Sequence, residues 1–284
     1  MFSGGHVSAN LGCPLTKGDK AGALPGSAEM KWIEVYDHIA PMYDRVRGAP
    51  PSNEQLQAVI GELTGCHTIL DAGVGTGRFA VPLQAHGFEV VGVDFSIGML
   101  LQARTKGIGR LVRGDISHLP FRDQAIDAVF VTHVLHHVPD LLPVFREFGR
   151  VARRAVMMMF QDAPDPCVAG LWKSLYKRYR DLAAEKGYAL KPVERYEHSL
   201  EEISAIVHPR TLRVVPGVPP VGLTFENRLD LFYTGQIPLQ MHTEITHQLK
   251  EEDTVDSSEW AHPQNTQIGI WDPRTLLASA QTPS

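Results

Sequence analysis

Apolar residues recur along this chain with two periods, and the switching between them outlines its elements. Trp32, Tyr36, Ile39 and Tyr43 fall three or four positions apart, which predicts a short helix ending near Pro41 or just beyond. Pro50 and Pro51 interrupt, and Ser52-Asn-Glu-Gln55 then reads as a capping box before a helix with Leu56, Val59, Ile60 and Leu63 on one face. From residue 68 the pattern alternates. Apolar runs at 68–72, 89–93, 110–113, 127–132 and 155–160 are separated by helix-like stretches at 77–86, 96–106 and 141–153. Such alternation predicts right-handed crossovers and a doubly wound, mainly parallel α/β sheet. The runs are apolar on both sides of the strand, as expected where helices cover both faces. Pro82 fits because the first turn of a helix has no paired donors to lose.

After Phe160 the rhythm stops. Residues 161–166 (QDAPDP) form a turn-rich break, and 168–186 read as a helix with Leu171, Trp172, Leu175, Tyr179 and Leu182 on one side. Its other side carries Lys173, Lys177, Arg178 and Arg180, which suits either a solvated face or an anionic ligand, and the solvated face is preferred. A second capping box at Ser199-Leu-Glu-Glu202 leads another helix. A strand at 211–215, a helix with Met241, Ile245 and Leu249, and a last strand at 267–271 complete the pattern. The predicted organisation is a flexible tail (1–29), an amino-terminal cap helix (30–51), a cofactor-binding core (52–160) and a helical insertion (161–198). The carboxyl-terminal part of the core (199–275) follows, with a cap segment at 216–262 and a short tail at 276–284.

At 284 residues and 43% hydrophobic content the chain can build a sizeable core. A formal net charge of −5 supplies no overall basic field for nucleic acid or anionic lipid. No window approaches the roughly 18 apolar residues of a membrane span, and the first 30 residues lack a signal-peptide core, so a cytoplasmic protein is expected. Cys13, Cys66 and Cys167 are odd in number, show no CxxC spacing and are expected to be reduced.

The chemistry concentrates at Leu70-Asp-Ala-Gly-Val-Gly-Thr-Gly-Arg78, where the first core strand meets its helix. Gly73, Gly75 and Gly77 let the backbone turn sharply and let a ligand approach it. A tight turn alone explains one glycine, not three. The spacing GxGxG differs from the GxGxxG that receives a pyrophosphate, and Asp71 beside it suits an ammonium group better than a phosphate. The second strand ends in Asp94, placed to accept hydrogen bonds from ribose hydroxyls, and the third ends in Gly114-Asp115-Ile116, bringing another carboxylate to the same edge.

LDAGVGTGRFA, VVGVDFS, VRGDISHLPF and DAVFVTHVLHHV resemble, in order, the successive motifs of class I S-adenosylmethionine-dependent methyltransferases, especially the small-molecule and quinone-type branch. The resemblance covers roughly residues 33–160. It implies a Rossmann-like sheet of seven strands with helical cap insertions, and S-adenosyl-L-methionine as cofactor. By the same resemblance Gly73, Gly75 and Gly77 wrap the methionine part, Asp71 orients it, Asp94 binds the ribose, and Asp115 with Ile116 holds the adenine, with Phe95 and Met99 lining its pocket. Tyr36 or Tyr43, in YDHIAPMYD, matches the tyrosine with which the family covers its cofactor; a core aromatic is the alternative for each. One departure is Arg150-Val-Ala-Arg-Arg-Ala155, which lacks the glycine usual before the fifth strand and leaves that turn open to question.

His133 is the first titratable residue beyond the fourth strand, and an imidazole suits removal of a proton from a hydroxyl or an acidic carbon; packing or helix capping is the alternative. His133 and His137 would align on a helix, but further metal ligands are not evident and no metal is expected. The expected activity is methyl transfer to a small-molecule acceptor by in-line displacement. A nicotinamide-dependent oxidoreductase is disfavoured by the GxGxG spacing and Asp115, and a non-catalytic S-adenosylmethionine-binding protein remains an alternative. Nucleic acid is not the expected acceptor, because Val131-Thr-His-Val134 lacks the Asn/Asp-Pro-Pro-aromatic box used on flipped bases. The acceptor and the oligomeric state are not set by the sequence.

Overall fold

A computed structural model of the chain describes residues 32–47, 50–161, 166–191, 196, 198–217, 229–252 and 265–280. The expected tail at 1–29 with Cys13, most of the break at 161–166, and the stretches 218–228 and 253–264 of the expected cap segment lie outside the described residues.

Helices α1 (Trp32–Arg47) and α2 (Asn53–Glu62) precede the alternating core. The Ser52 capping box is formed on both sides, with Gln55 N donating to the Ser52 hydroxyl and Ser52 N to the Gln55 side chain. The core then runs β1 (Thr68–Ala72), α3 (Ala80–Ala85), β2 (Glu89–Asp94), α4 (Ile97–Thr105), β3 (Arg110–Arg113), β4 (Ile126–Thr132), a one-turn 3-10 helix (Leu135–His137), α5 (Leu141–Val151) and β5 (Ala152–Gln161). Long α6 (Pro166–Glu185) and short α7 (Leu200–Ile206) follow, then β6 (Thr211–Val215), a 3-10 turn (Asp230–Phe232), α8 (Leu239–Glu252), β7 (Thr266–Trp271) and α9 (Pro273–Ser279).

The strands form a seven-stranded sheet in the order β3-β2-β1-β4-β5-β7-β6, parallel except for β7, which pairs antiparallel with both neighbours. Strand order reverses between β1 and β4, so the crevice at their carboxyl ends is the natural ligand position. Alternation along the strands feeds two cores. Leu70, Ala72, Val129, Val131, Val156 and Met158 pack towards α5, α7 and α9, whereas Ile69, Ala128, Phe130, Met157 and Met159 pack towards α2, α3 and α4. The three consecutive methionines are therefore shared between the two faces of a buried strand. A third apolar cluster joins α6, α8 and the turn between them, through Trp172, Tyr179, Phe232 and Ile245.

Several expectations shift. The helix expected at 77–86 begins at Ala80, because Gly77 holds φ +87°, outside helical space. Pro82 then sits in the first turn of α3, where it removes no hydrogen bond. The expected tail at 276–284 is wrong for its first residues: Asp272 caps α9 by accepting from Arg274 N and Thr275 N, and Leu276 and Ala280 are buried beside α5. Gly149 makes that packing possible, since a Cβ there would lie 2.7 Å from the Pro273 carbonyl. The turn before β5 needs no glycine, because α5 passes directly into the strand with Ala152 at φ −78°, ψ 141°. Arg150 secures the turn by donating to Glu147, Asp123 and the Leu119 and Phe121 carbonyls, and it holds the Glu147 carboxyl below the usual range. No helix among the described residues is long and apolar enough to cross a membrane.

Candidate active site

The residues singled out in the sequence converge on the carboxyl edge of the central strands. Asp71 and Ala72 end β1, and Gly73 and Val74 donate their N–H groups to the Val93 carbonyl, which ties the glycine loop to β2. At the tip of β2 the Asp94 carboxylate accepts from Gly75 N at 2.8 Å and from Ser96 N at 2.9 Å. Gly114 N in turn donates to the Asp94 carbonyl, so the end of β3, with Asp115 and Ile116, joins the same rim. Asp115 is exposed and accepts from Ser117 N in a turn, while Ile116 and Met99 are buried.

The three glycines have different physical duties. A Cβ on Gly73 would lie 2.0 Å from the Val134 side chain and one on Gly77 2.5 Å from Ile108, so both are demanded by packing within the protein. A Cβ on Gly75 would meet nothing within 4 Å. Gly75 is thus the one member of the loop that borders open space, at φ +53°.

Two buried side-chain oxygens, Asp71 Oδ1 and Thr132 Oγ1, lack a hydrogen-bond partner among the described residues. Thr132 ends β4, and Asp71 sits on β1 opposite Phe130 of β4, so both belong to the strands that flank the switch point. Buried polar atoms normally find partners, and two orphans here fit a polar ligand. Burial, reinforced by the neighbouring Asp94 charge, pushes the Asp71 carboxyl up to about 7. Burial also raises Asp94, against the lowering effect of the Ser96, Gly75 and Phe95 N–H groups. These features suit a ligand with an ammonium group and vicinal hydroxyls, as S-adenosylmethionine has, and Asp71, Gly75 and Asp94 are the residues that would hold it.

The Asp71 shift has a consequence for the free protein. The folded chain holds this proton more tightly than the unfolded chain, whose carboxyl titrates near 4. Its contribution to stability is therefore complete below about pH 4 and is lost as pH rises through about 7. Between pH 6 and pH 8 the ligand-free protein is expected to lose about 1 kcal/mol that Asp71→Asn does not lose. Denaturant melts of both proteins at the two pH values check this; equal losses would exclude Asp71 as the source.

Above the rim, α1 brings an aromatic group to the edge of the sheet. Tyr36 lies edge-on to Phe95 at 6.2 Å and to Tyr43 at 6.0 Å between ring centroids. Its hydroxyl is 2.8 Å from His137 Nε2, and the ring centroids of His136 and His137 are 3.9 Å apart. His137, considered in the sequence as a metal ligand with His133, meets the Tyr36 hydroxyl instead. The expected helical alignment of His133 with His137 does not occur, because His133 has φ +54° and the following helix is a single 3-10 turn. A non-glycine residue in the left-handed region is uncommon, and such strain gathers at functional sites.

Residues 70–160 match the family model of the methyltransferase domain. Curated relatives include a demethylmenaquinone methyltransferase of Mycolicibacterium gilvum, 33% identical over 118 residues, which are 42% of this chain and 51% of that protein. Another, from Roseiflexus sp., is 34% identical over 140 residues, 45% of this chain and 59% of its own length. The chain thus spans little more than half the length of these relatives. A solved structure described as a methyltransferase from an antibiotic biosynthesis pathway of Anabaena variabilis superposes with a TM-score of 0.51 at 18% identity, over 79% of this chain and 98% of that one, and shows the shared fold. Motif order and strand order agree with the match of residues 70–160 to the methyltransferase domain model.

Proposed function

We propose that the protein transfers a methyl group from S-adenosylmethionine to a small-molecule acceptor of the hydroxylated-ring or quinol type. The observation that carries this reading is the pair of orphaned buried oxygens, Asp71 Oδ1 and Thr132 Oγ1, beside a glycine loop open at Gly75. In this reading Asp71 neutralises the ammonium group, and Asp94 accepts from the ribose hydroxyls. Asp115 and Ile116 hold the adenine, with Phe95 and Met99 beside it. Gly73, Gly75 and Gly77 shape the loop that wraps the methionine part, and Tyr36 and Tyr43 close over it. When bound, S-adenosylmethionine supplies a sulfonium methyl that is already electrophilic, so the protein's work is to align the acceptor, exclude water and take up a proton.

His133 is the residue we assign to the proton. It follows the fourth strand, and its φ of +54° is the kind of strained backbone that gathers at functional sites. The paired rings of Tyr36 and Tyr43 favour a planar acceptor. The names of the curated relatives favour a quinol ring, and the basic side of α6 gives little support to a polyanion. Arg178 is paired with Glu252 and Glu185, and Lys177 with Asp181.

The test is S-adenosylhomocysteine release from the whole protein with a panel of quinols, phenols and amines, using His133→Gly beside the parent. Glycine suits φ +54°, so the variant is expected to melt within about 1 kcal/mol of the parent while turnover falls about a hundredfold. Turnover equal to the parent would remove His133 from the chemistry, and no release with any acceptor would count against the small-molecule reading.

A further inference from the structure

Each of the two tyrosines of YDHIAPMYD is followed by an aspartate, Asp37 and Asp44. Seven residues apart on α1, they lie two helical turns from each other on one side of the helix. Asp44 Oδ1 accepts from the Thr76 hydroxyl at 2.5 Å, and Thr76 stands between Gly75 and Gly77, 1% exposed. Its Oδ2 meets Lys106, at the carboxyl end of α4. Asp37 Oδ1 accepts from the Ser96 hydroxyl at 2.6 Å and from Gly98 N at 2.9 Å, at the amino end of α4. The crossing is close there, since a Cβ on Gly98 would lie 3.1 Å from the Asp37 backbone.

These contacts close a ring. From α1 it runs through Asp44 to Thr76, along the backbone to Gly75, and through the Gly75 N–H to Asp94. From Asp94 it continues through the Ser96 N–H to Ser96, and through the Ser96 hydroxyl to Asp37 on α1. Asp94 and Ser96 are buried along with Thr76, so water does not compete for most of these bonds. Both loops that border the Asp94 carboxylate are thus held by one helix. A loop free to sample other conformations binds its ligand more weakly by the fraction of time it is competent.

We propose that Asp37 and Asp44 are positioning residues for the cofactor site, which clamp the glycine loop and the β2–α4 loop onto Asp94 so that the cradle is set before the cofactor arrives. The proposal rests on the reading of this cradle as an S-adenosylmethionine site. The α1 helix is then part of the binding machinery as well as a cover for it.

Calorimetric titration of the whole protein with S-adenosylhomocysteine tests this without knowledge of the acceptor. Asp44→Ala and Thr76→Val are each expected to weaken binding about tenfold. The double variant should be no more than about twofold weaker than Asp44→Ala, because Thr76→Val removes a contact that Asp44→Ala has already removed. Thr76→Ser, which keeps the hydroxyl, should bind like the parent, and Asp37→Ala should weaken binding about as much as Asp44→Ala. A role in stability alone would lower the melting temperature and leave the dissociation constant of the folded protein unchanged. Should Asp44→Ala fail to fold, the Thr76→Val and Thr76→Ser pair decides, because valine matches threonine in shape. Parent-like affinity in folded Thr76→Val overturns the clamp, whereas a parent protein that does not bind S-adenosylhomocysteine overturns the cofactor reading itself.

Discussion

Asp94→Ala is expected to weaken S-adenosylmethionine binding by about a hundredfold, that is by about 3 kcal/mol. Two losses contribute. The variant has no carboxylate for the ribose hydroxyls, and hydrogen bonds to a charged acceptor are worth roughly 1.5–3 kcal/mol. It also strands the Gly75 and Ser96 N–H groups that Asp94 now satisfies, and so loosens both loops. Asp94→Asn separates the two effects, because its amide oxygen can still accept from one of those N–H groups while the charge is gone. An affinity for Asp94→Asn between those of the parent and Asp94→Ala is the expected order. Titration of folded variants reads the order directly, and parent-like binding by Asp94→Ala would remove Asp94 from the site.

Gly73→Ala and Gly75→Ala are expected to fail for opposite reasons. At Gly73 the new methyl would sit 2.0 Å from a Val134 methyl and on a backbone at φ +80°, so the loop and the end of β4 cannot both keep their places. Strain of this kind, with overpacking, costs about 2–4 kcal/mol in stability, and Val134→Ala in the same chain should restore part of it. At Gly75 nothing lies within 4 Å, so Gly75→Ala should stay folded at a cost of about 1 kcal/mol for its φ of +53°. Its methyl would instead project into the space assigned to the cofactor, and binding should fall at least tenfold. Thermal melts and titrations on the same two proteins check the contrast; equal stability losses with equal affinity losses would contradict it.

The parallel core was legible because its determinants are local in the chain. Each strand is a run of buried residues bounded by turn-forming positions, and the acids at 71, 94 and 115 follow from where those runs end. The capping boxes at Ser52 and Ser199 were legible for the same reason, since partners three residues apart need no tertiary information. What escaped depends on distant partners. Nothing in the spacing of Gly73, Gly75 and Gly77 tells which of them touch Val134 and Ile108 and which one faces open space. The Tyr36–His137 contact spans 101 residues, and the Asp37 and Asp44 contacts depend on the crossing of α1 over α4. One signal was present for these, the repeated Tyr-Asp pair at a spacing of two helical turns. Residues 276–279 of α9 fall in the expected tail although Asp272-Pro273 is a cap followed by a first-turn proline, because seven residues carry too short an apolar pattern.

The central claim is that the cradle built by the glycine loop and Asp94 holds S-adenosylmethionine. The most direct measurement is a calorimetric titration of the whole protein with S-adenosylmethionine, repeated with S-adenosylhomocysteine and with a reduced nicotinamide dinucleotide. Saturable binding of one equivalent of each sulfur ligand, with no heat from the dinucleotide, is the expected result. Binding of the dinucleotide with no binding of either sulfur ligand would contradict it and turn the site into that of an oxidoreductase.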